Sequence, residues 1–257
     1  MAALSVQAMS GVTESVIGGV YDSLLALVYP EACAVCGGPV ESRLDAPVCA
    51  ACWTATRLFD ENDNLCWKCG AFTPAKIAAD KRQMVRCGEC DADNFTAARA
   101  CGLYEDGLRA SVLALKREPH VANRLAQIIA NAQRQPPLNG ADVIVPVPLH
   151  SERERERGYN QAAVLAREVA RATRLPIEES VLFRRIHTER HRAGMDAKAR
   201  RVSVAGAFEV RQPKLIVGRR VLLIDDVFTT GATVSECAAV LKTAGASDVY
   251  VLTIARA

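Results

Sequence analysis

Val-Leu-Leu-Ile-Asp-Asp-Val-Phe-Thr-Thr-Gly-Ala-Thr, residues 221–233, holds the densest chemistry in the chain. Residues 221–224 form a fully apolar run that reads as a buried strand. Asp225 and Asp226 follow at its C-terminal end, where open α/β sheets bind ligands. Thr229, Thr230, Gly231, Ala232 and Thr233 then lead into a predicted helix over 233–244. Such a loop gathers backbone N–H groups and hydroxyls into one concavity. The helix start adds about half a positive charge, so the loop suits a phosphate. Gly231 lets the backbone approach an anion where a Cβ would obstruct it. Two carboxylates beside a phosphate cradle would repel a bare phosphate. They suit a ribose 5-phosphate, with its phosphate in the loop and its 2′- and 3′-hydroxyls on Asp225 and Asp226. Mg²⁺ on a 1-diphosphate would relieve the remaining charge.

Two other readings compete. Leu-Leu-Ile-Asp-Asp alone fits the Walker B strand of an ATPase, but the chain has no Gly-x-x-x-x-Gly-Lys-Ser/Thr loop. A capped turn followed by a Thr-capped helix explains Asp-Asp alone, but not the whole string.

Around this stretch the pattern alternates. Strands are predicted at 99–104, 142–147, 181–183 and 249–254, and helices at 108–115, 121–132 and 159–174, with Pro136 and Pro137 in a breaker. Continuous apolar strands between amphipathic helices predict an α/β fold with a mostly parallel sheet flanked by helices.

The first third of the chain is different. Eight of ten cysteines form four Cys-x-x-Cys pairs: Cys33/Cys36, Cys49/Cys52, Cys66/Cys69 and Cys87/Cys90. Each pair offers two thiolates, and two pairs complete a closed tetrahedral Cys₄ site. This predicts two structural Zn²⁺ ions in a small double zinc ribbon over 31–95, followed by the α/β domain over 96–257. Sequential pairing is preferred, a cross-braced arrangement remains open, and an iron–sulfur cluster is not excluded by spacing. Cys101 and Cys237 are left over and read as small core residues.

Composition bounds the rest. Half of the 257 residues are hydrophobic and 24% are charged, so a packed core is expected. The net charge of +3 is too small to imply a nucleic-acid coat. Residues 181–220 hold eleven Lys/Arg against three acids, an excess that either faces phosphates or is a solvated loop. Residues 1–30 read as an amphipathic helix, with no transmembrane segment and no signal peptide, so a cytoplasmic location is expected.

Residues 221–233 resemble the phosphoribosyl diphosphate (PRPP) motif of type I phosphoribosyltransferases. Residues 145–161, Val-Pro-Val-Pro-Leu-His-Ser-Glu-Arg-Glu-Arg-Glu-Arg-Gly-Tyr-Asn-Gln, resemble a signature of the ComF (ComFC, GntX) family of competence proteins. The four cysteine pairs, Leu115-Lys116 and Gly206-Ala207-Phe208 also fit that family. The resemblance implies a phosphoribosyltransferase-type domain that displaces diphosphate from ribose C1 through an oxocarbenium-like transition state.

It further implies a ribose diol on Asp225 and Asp226 and a 5-phosphate on Thr229, Thr230, Gly231, Ala232 and Thr233. The diphosphate turn would contain Leu149 and His150, with Arg153 and Arg157 as diphosphate contacts and Lys116 as a phosphate neighbour. Arg153 and Arg157 also read as an exposed i, i+4 basic pair among glutamates. A hood over about 186–204 would close on the site. There Thr188, His191 and Ser203 stand where many members have Thr-x-x-Gln and an Asn. The implied partners are PRPP or a related ribose phosphate, and single-stranded DNA or DNA-uptake proteins. Two functions follow: phosphoribosyl transfer to an unidentified acceptor, or a PRPP-binding adaptor. Residues 33–90 carry no basic stripe, which weakens direct DNA contact by the ribbons.

Overall fold

The computed structural model describes residues 31–73, 77, 79–186 and 197–257; the predicted N-terminal helix and most of the predicted hood lie outside them. Along the chain run α1 (Ala50–Ala55), β1 (Ala97–Ala100), α2 (Asp106–Leu115), α3 (Asn123–Gln133), β2 (Val143–Pro146) and α4 (Ser151–Arg157). There follow α5 (Gln161–Thr173), β3 (Leu182–Arg184), α6 (Ala197–Val204), β4 (Phe208–Val210), β5 (Arg220–Phe228), α7 (Ala232–Thr243) and β6 (Asp248–Arg256).

Four strands form one parallel sheet in the order β1-β6-β5-β2, and β3 and β4 form a separate antiparallel pair. The strand period of two divides the apolar runs between two layers. Val221, Leu223, Val143, Val145, Val249 and Val251 face a cluster closed by Val234, Cys237, Ala238 and Leu241 of α7. Leu222, Ile224, Ile144, Leu252 and Ile254 face the opposite cluster, with Leu108 and Val112 of α2, Leu125 and Ile129 of α3 and Leu165 of α5. Both faces are therefore dry, as unbroken apolar strands require. Cys101 and Cys237, as expected, are buried, one in each cluster.

Two elements differ from the sequence reading. The regular first strand ends at Ala100, and after a break at Cys101 residues 102–104 resume pairing with β6. The Arg256 N–H donates to the Gly102 carbonyl at 2.9 Å and the Tyr104 N–H to the Arg256 carbonyl at 2.7 Å, while Gly102 also bridges Leu58. A Cβ on Gly102 would lie 2.5 Å from the Arg57 carbonyl oxygen, so only glycine allows that approach. Residues 151–157 are a helix, although their Ser-Glu-Arg-Glu-Arg-Glu-Arg sequence has no apolar stripe. Gly158, at φ +83°, terminates it in the left-handed conformation. Among the described residues, no helix is long and apolar enough to cross a membrane.

Candidate functional site

The eight paired cysteines form two clusters, Cys33/Cys36/Cys49/Cys52 and Cys66/Cys69/Cys87/Cys90, and within each all sulfurs lie within 4.8 Å of one another. The pairing is thus sequential, and the cross-braced alternative is excluded. Sulfur–sulfur separations are 3.8 Å for Cys36–Cys49, 3.7 Å for Cys66–Cys90, 3.5 Å for Cys69–Cys87 and 3.6 Å for Cys87–Cys90. A tetrahedron with Zn–S bonds of about 2.3 Å has edges of about 3.8 Å. A four-iron cluster attaches each thiolate to a different iron and needs a wider ring. The donor set therefore fits one zinc ion per cluster.

Backbone N–H groups of Gly38, Cys49 and Cys87 donate to Cys36, Cys33 and Cys66 Sγ, each at 3.4 Å. Burial raises the Cys66 thiol, but the N–H groups of Cys69, Cys87 and Lys68 outweigh it and leave the thiol at about 7, which favours a metal-binding thiolate.

The second site lies at the end of β5. Alternation sends Asp225 and Asp226 to opposite faces of the sheet. Asp225 belongs to the α7 side, where Arg184 of β3 feels its charge, and its Oδ1 accepts the Asp226 N–H at 2.9 Å. Asp226 belongs to the α2 side, where Lys116 Nζ lies 3.4 Å from Oδ2. Burial, then the Asp226 charge, push Asp225 up to about 8, against the pull of the Asp226 N–H, Lys116 and Arg184.

Beyond the carboxylates, Gly231 takes φ +74° at the N-cap of α7, which has no side-chain cap, so its first amides are open to an anion. A Cβ on Gly231 would meet Phe228 Cζ at 2.7 Å. The Phe228 ring is held edge-on by Phe95, with centroids 5.9 Å apart, and by the Arg256 guanidinium, 4.5 Å from its centroid. Arg256 also donates to the Cys69 carbonyl at 2.8 Å. A contiguous chain of contacts thus runs from the second cysteine cluster to the 229–233 loop.

Leu149 and His150 line a cavity of about 650 Å³ with Tyr159, Asn160, Phe183, Arg184 and Arg211. The 229–233 loop and the two carboxylates do not line it; Arg184 does, and its charge interacts with that of Asp225. Arg153 is half-buried and close enough to Arg184 for their charges to interact, whereas Arg157 is exposed at the far end of α4. The structure thus separates the two arginines that sequence treated as a pair. It also adds Arg184, hidden in the basic 181–220 excess, whose position depends on the pairing of β3 with β4.

A family model described as "Double zinc ribbon domain" matches residues 24–91. Competence protein F of Haemophilus influenzae is 36% identical over 138 residues, 53% of this chain and 60% of that protein's length. DNA utilization protein YhgH of Escherichia coli is 29% identical over 239 residues, 90% of this chain and 99% of that protein. An adenine phosphoribosyltransferase from Leishmania tarentolae matches with a TM-score of 0.36 and 14% identity, over 57% of this chain and 76% of its own. The chain is thus similar to competence protein F over about half its length, to DNA utilization protein YhgH over nearly all of it, and to double zinc ribbons over residues 24–91.

Proposed function

We propose that this chain is a PRPP-binding protein of the phosphoribosyltransferase type, with a part in DNA uptake and with phosphoribosyl transfer to an acceptor as its chemistry. The observation that carries the binding reading is the β5–α7 junction. Two carboxylates on opposite faces, each with a cation nearby, precede a left-handed glycine and an uncapped helix start. Thr229, Thr230, Gly231, Ala232 and Thr233 would hold the 5-phosphate, and Asp225 and Asp226 the ribose hydroxyls. Leu149, His150 and Arg153 would face the diphosphate, which arrives with its own Mg²⁺ as part of the substrate. Asp226, and Asp225 when ionised, would stabilise positive charge developing at C1 as diphosphate leaves. The names of the relatives support the DNA-uptake role. In this reading residues 31–95 are a metal-held platform for the domain over 96–257.

Calorimetric titration of zinc-loaded protein with Mg²⁺–PRPP, beside the Asp225→Asn/Asp226→Asn double variant, tests the binding reading. Saturable binding that the variant loses is expected. A folded wild type with no binding would remove the PRPP reading.

A further inference from the structure

The signature segment 158–161 has no ligand role in the reading above, yet its side chains are among the most constrained near the site. The Tyr159 hydroxyl donates to the Leu115 carbonyl at 2.8 Å. Leu115 is the last residue of α2, and the next residue is Lys116, whose Nζ lies 3.4 Å from Asp226. Asn160 is buried and uses both ends of its amide. Its Oδ1 accepts from the Ala162 N–H at 3.0 Å and caps α5, while its Nδ2 donates to the Val147 carbonyl at 2.9 Å. Val147 in turn donates its N–H to the Ile224 carbonyl at 2.9 Å and is followed by the 148–150 turn. Two adjacent residues thus brace the two loops that flank Asp225 and Asp226.

We infer that Tyr159 and Asn160 are positioning residues for the ligand site: Tyr159 holds the end of α2 so that Lys116 reaches Asp226, and Asn160 fixes the 148–150 turn against β5. The inference rests on the PRPP reading for its ligand, not for its geometry. A helix C-terminus held only by its own last turn frays, and Lys116 on a frayed turn would leave Asp226 for much of the time. A hydroxyl hydrogen bond of ordinary strength limits that fraying about tenfold or less. Asn160 combines cap and clamp because an amide offers both an acceptor and a donor; aspartate keeps only the cap.

The test uses full-length, zinc-loaded protein and the variants Tyr159→Phe, Lys116→Met, their double, and Asn160→Asp, each first shown to hold two zinc ions and to melt cooperatively. Mg²⁺–PRPP is the titrant. Tyr159→Phe is expected to raise Kd about fivefold in the wild-type background and to leave it unchanged in the Lys116→Met background, because the brace acts through that lysine. Asn160→Asp is expected to weaken binding while α5 stays capped.

A fivefold loss repeated on top of Lys116→Met overturns the assignment for Tyr159, as does an unchanged Kd in the single variant. Wild-type affinity in Asn160→Asp overturns it for Asn160. Carboxyl-carbon NMR titration of the Asp225/Asp226 pair gives a readout without PRPP. Tyr159→Phe should raise the pair's titration in the same direction as Lys116→Met. If wild type fails to bind PRPP while that shift appears, the ligand reading falls and the Tyr159 brace stands. If no shift appears, the Tyr159 brace falls.

Discussion

Cys66 and Leu223 are both fully buried in the same apolar cluster, on the same face of the sheet, yet different forces hold them there. Leu223 stays because the layer around it excludes water, and its neighbours do the same for each other. Cys66 sits among short, loop-like segments with little helix or strand of their own. Its position follows from three other sulfurs at tetrahedral spacing. The ribbons concentrate their stability in two points, while the sheet spreads it over many. The 229–233 loop draws on both, through Phe228 to the core and through Arg256 to Cys69.

Metal removal should therefore have the largest effect. A structural zinc site supplies on the order of 10–16 kcal/mol of apparent binding energy. Cys66→Ser should drop bound zinc from two ions to one, with a large fall in melting temperature; metal analysis beside a melting scan checks both. Leu223→Ala should cost about 2–5 kcal/mol by denaturant titration and leave both zinc ions in place. The same loss of zinc from both variants would erase the distinction between the two regions.

Gly231→Ala combines a left-handed backbone with a Cβ pressed on Phe228, and should cost about 1–3 kcal/mol. If the loop depends on both regions, that substitution should also weaken Mg²⁺–PRPP more than Leu223→Ala does.

Smaller effects depend on pH. Asp225 titrates at about 8 in the fold against an ordinary value of 3.8, so between those limits the native state binds more protons than the unfolded one. Its contribution to stability is complete below pH 4 and is lost as pH rises through about 8. Asp225→Asn should flatten that slope, which denaturant titrations at pH 6 and 8.5 would reveal. Asp142 behaves in the opposite sense. The Arg220 guanidinium and N–H hold it down to about 2, so its contribution is present above pH 3.8 and lost as pH falls through about 2. Both partners are largely exposed, so Asp142→Asn should move the melting temperature little, and less still in high salt.

Sequence showed most clearly what is local. The cysteine spacing announced the metal sites, because four ligand pairs in succession have few other uses. The apolar runs of β2, β5 and β6 and the 229–233 loop were equally plain. What escaped depends on tertiary contacts. Helix α4 has no apolar face because nothing buries it, so periodicity had no signal there. Residues 99–104 read as one strand and do pair with β6 at both ends, but the pairing breaks at Cys101, and Gly102 also reaches Leu58, a contact made across more than forty residues. Arg184 is one arginine among eleven Lys/Arg until β3 pairs with β4 and brings it within range of the Asp225 charge. The pairing of Tyr159 with Leu115 spans 44 residues and was invisible for the same reason.

The most direct test of the account is a crystal structure of the zinc-loaded protein with Mg²⁺–PRPP. The 5-phosphate should lie against the backbone N–H groups of the 229–233 loop, the ribose hydroxyls on Asp225 and Asp226, and the diphosphate toward Leu149 and His150. A ligand bound elsewhere, with the 229–233 loop contacting only solvent, would contradict it.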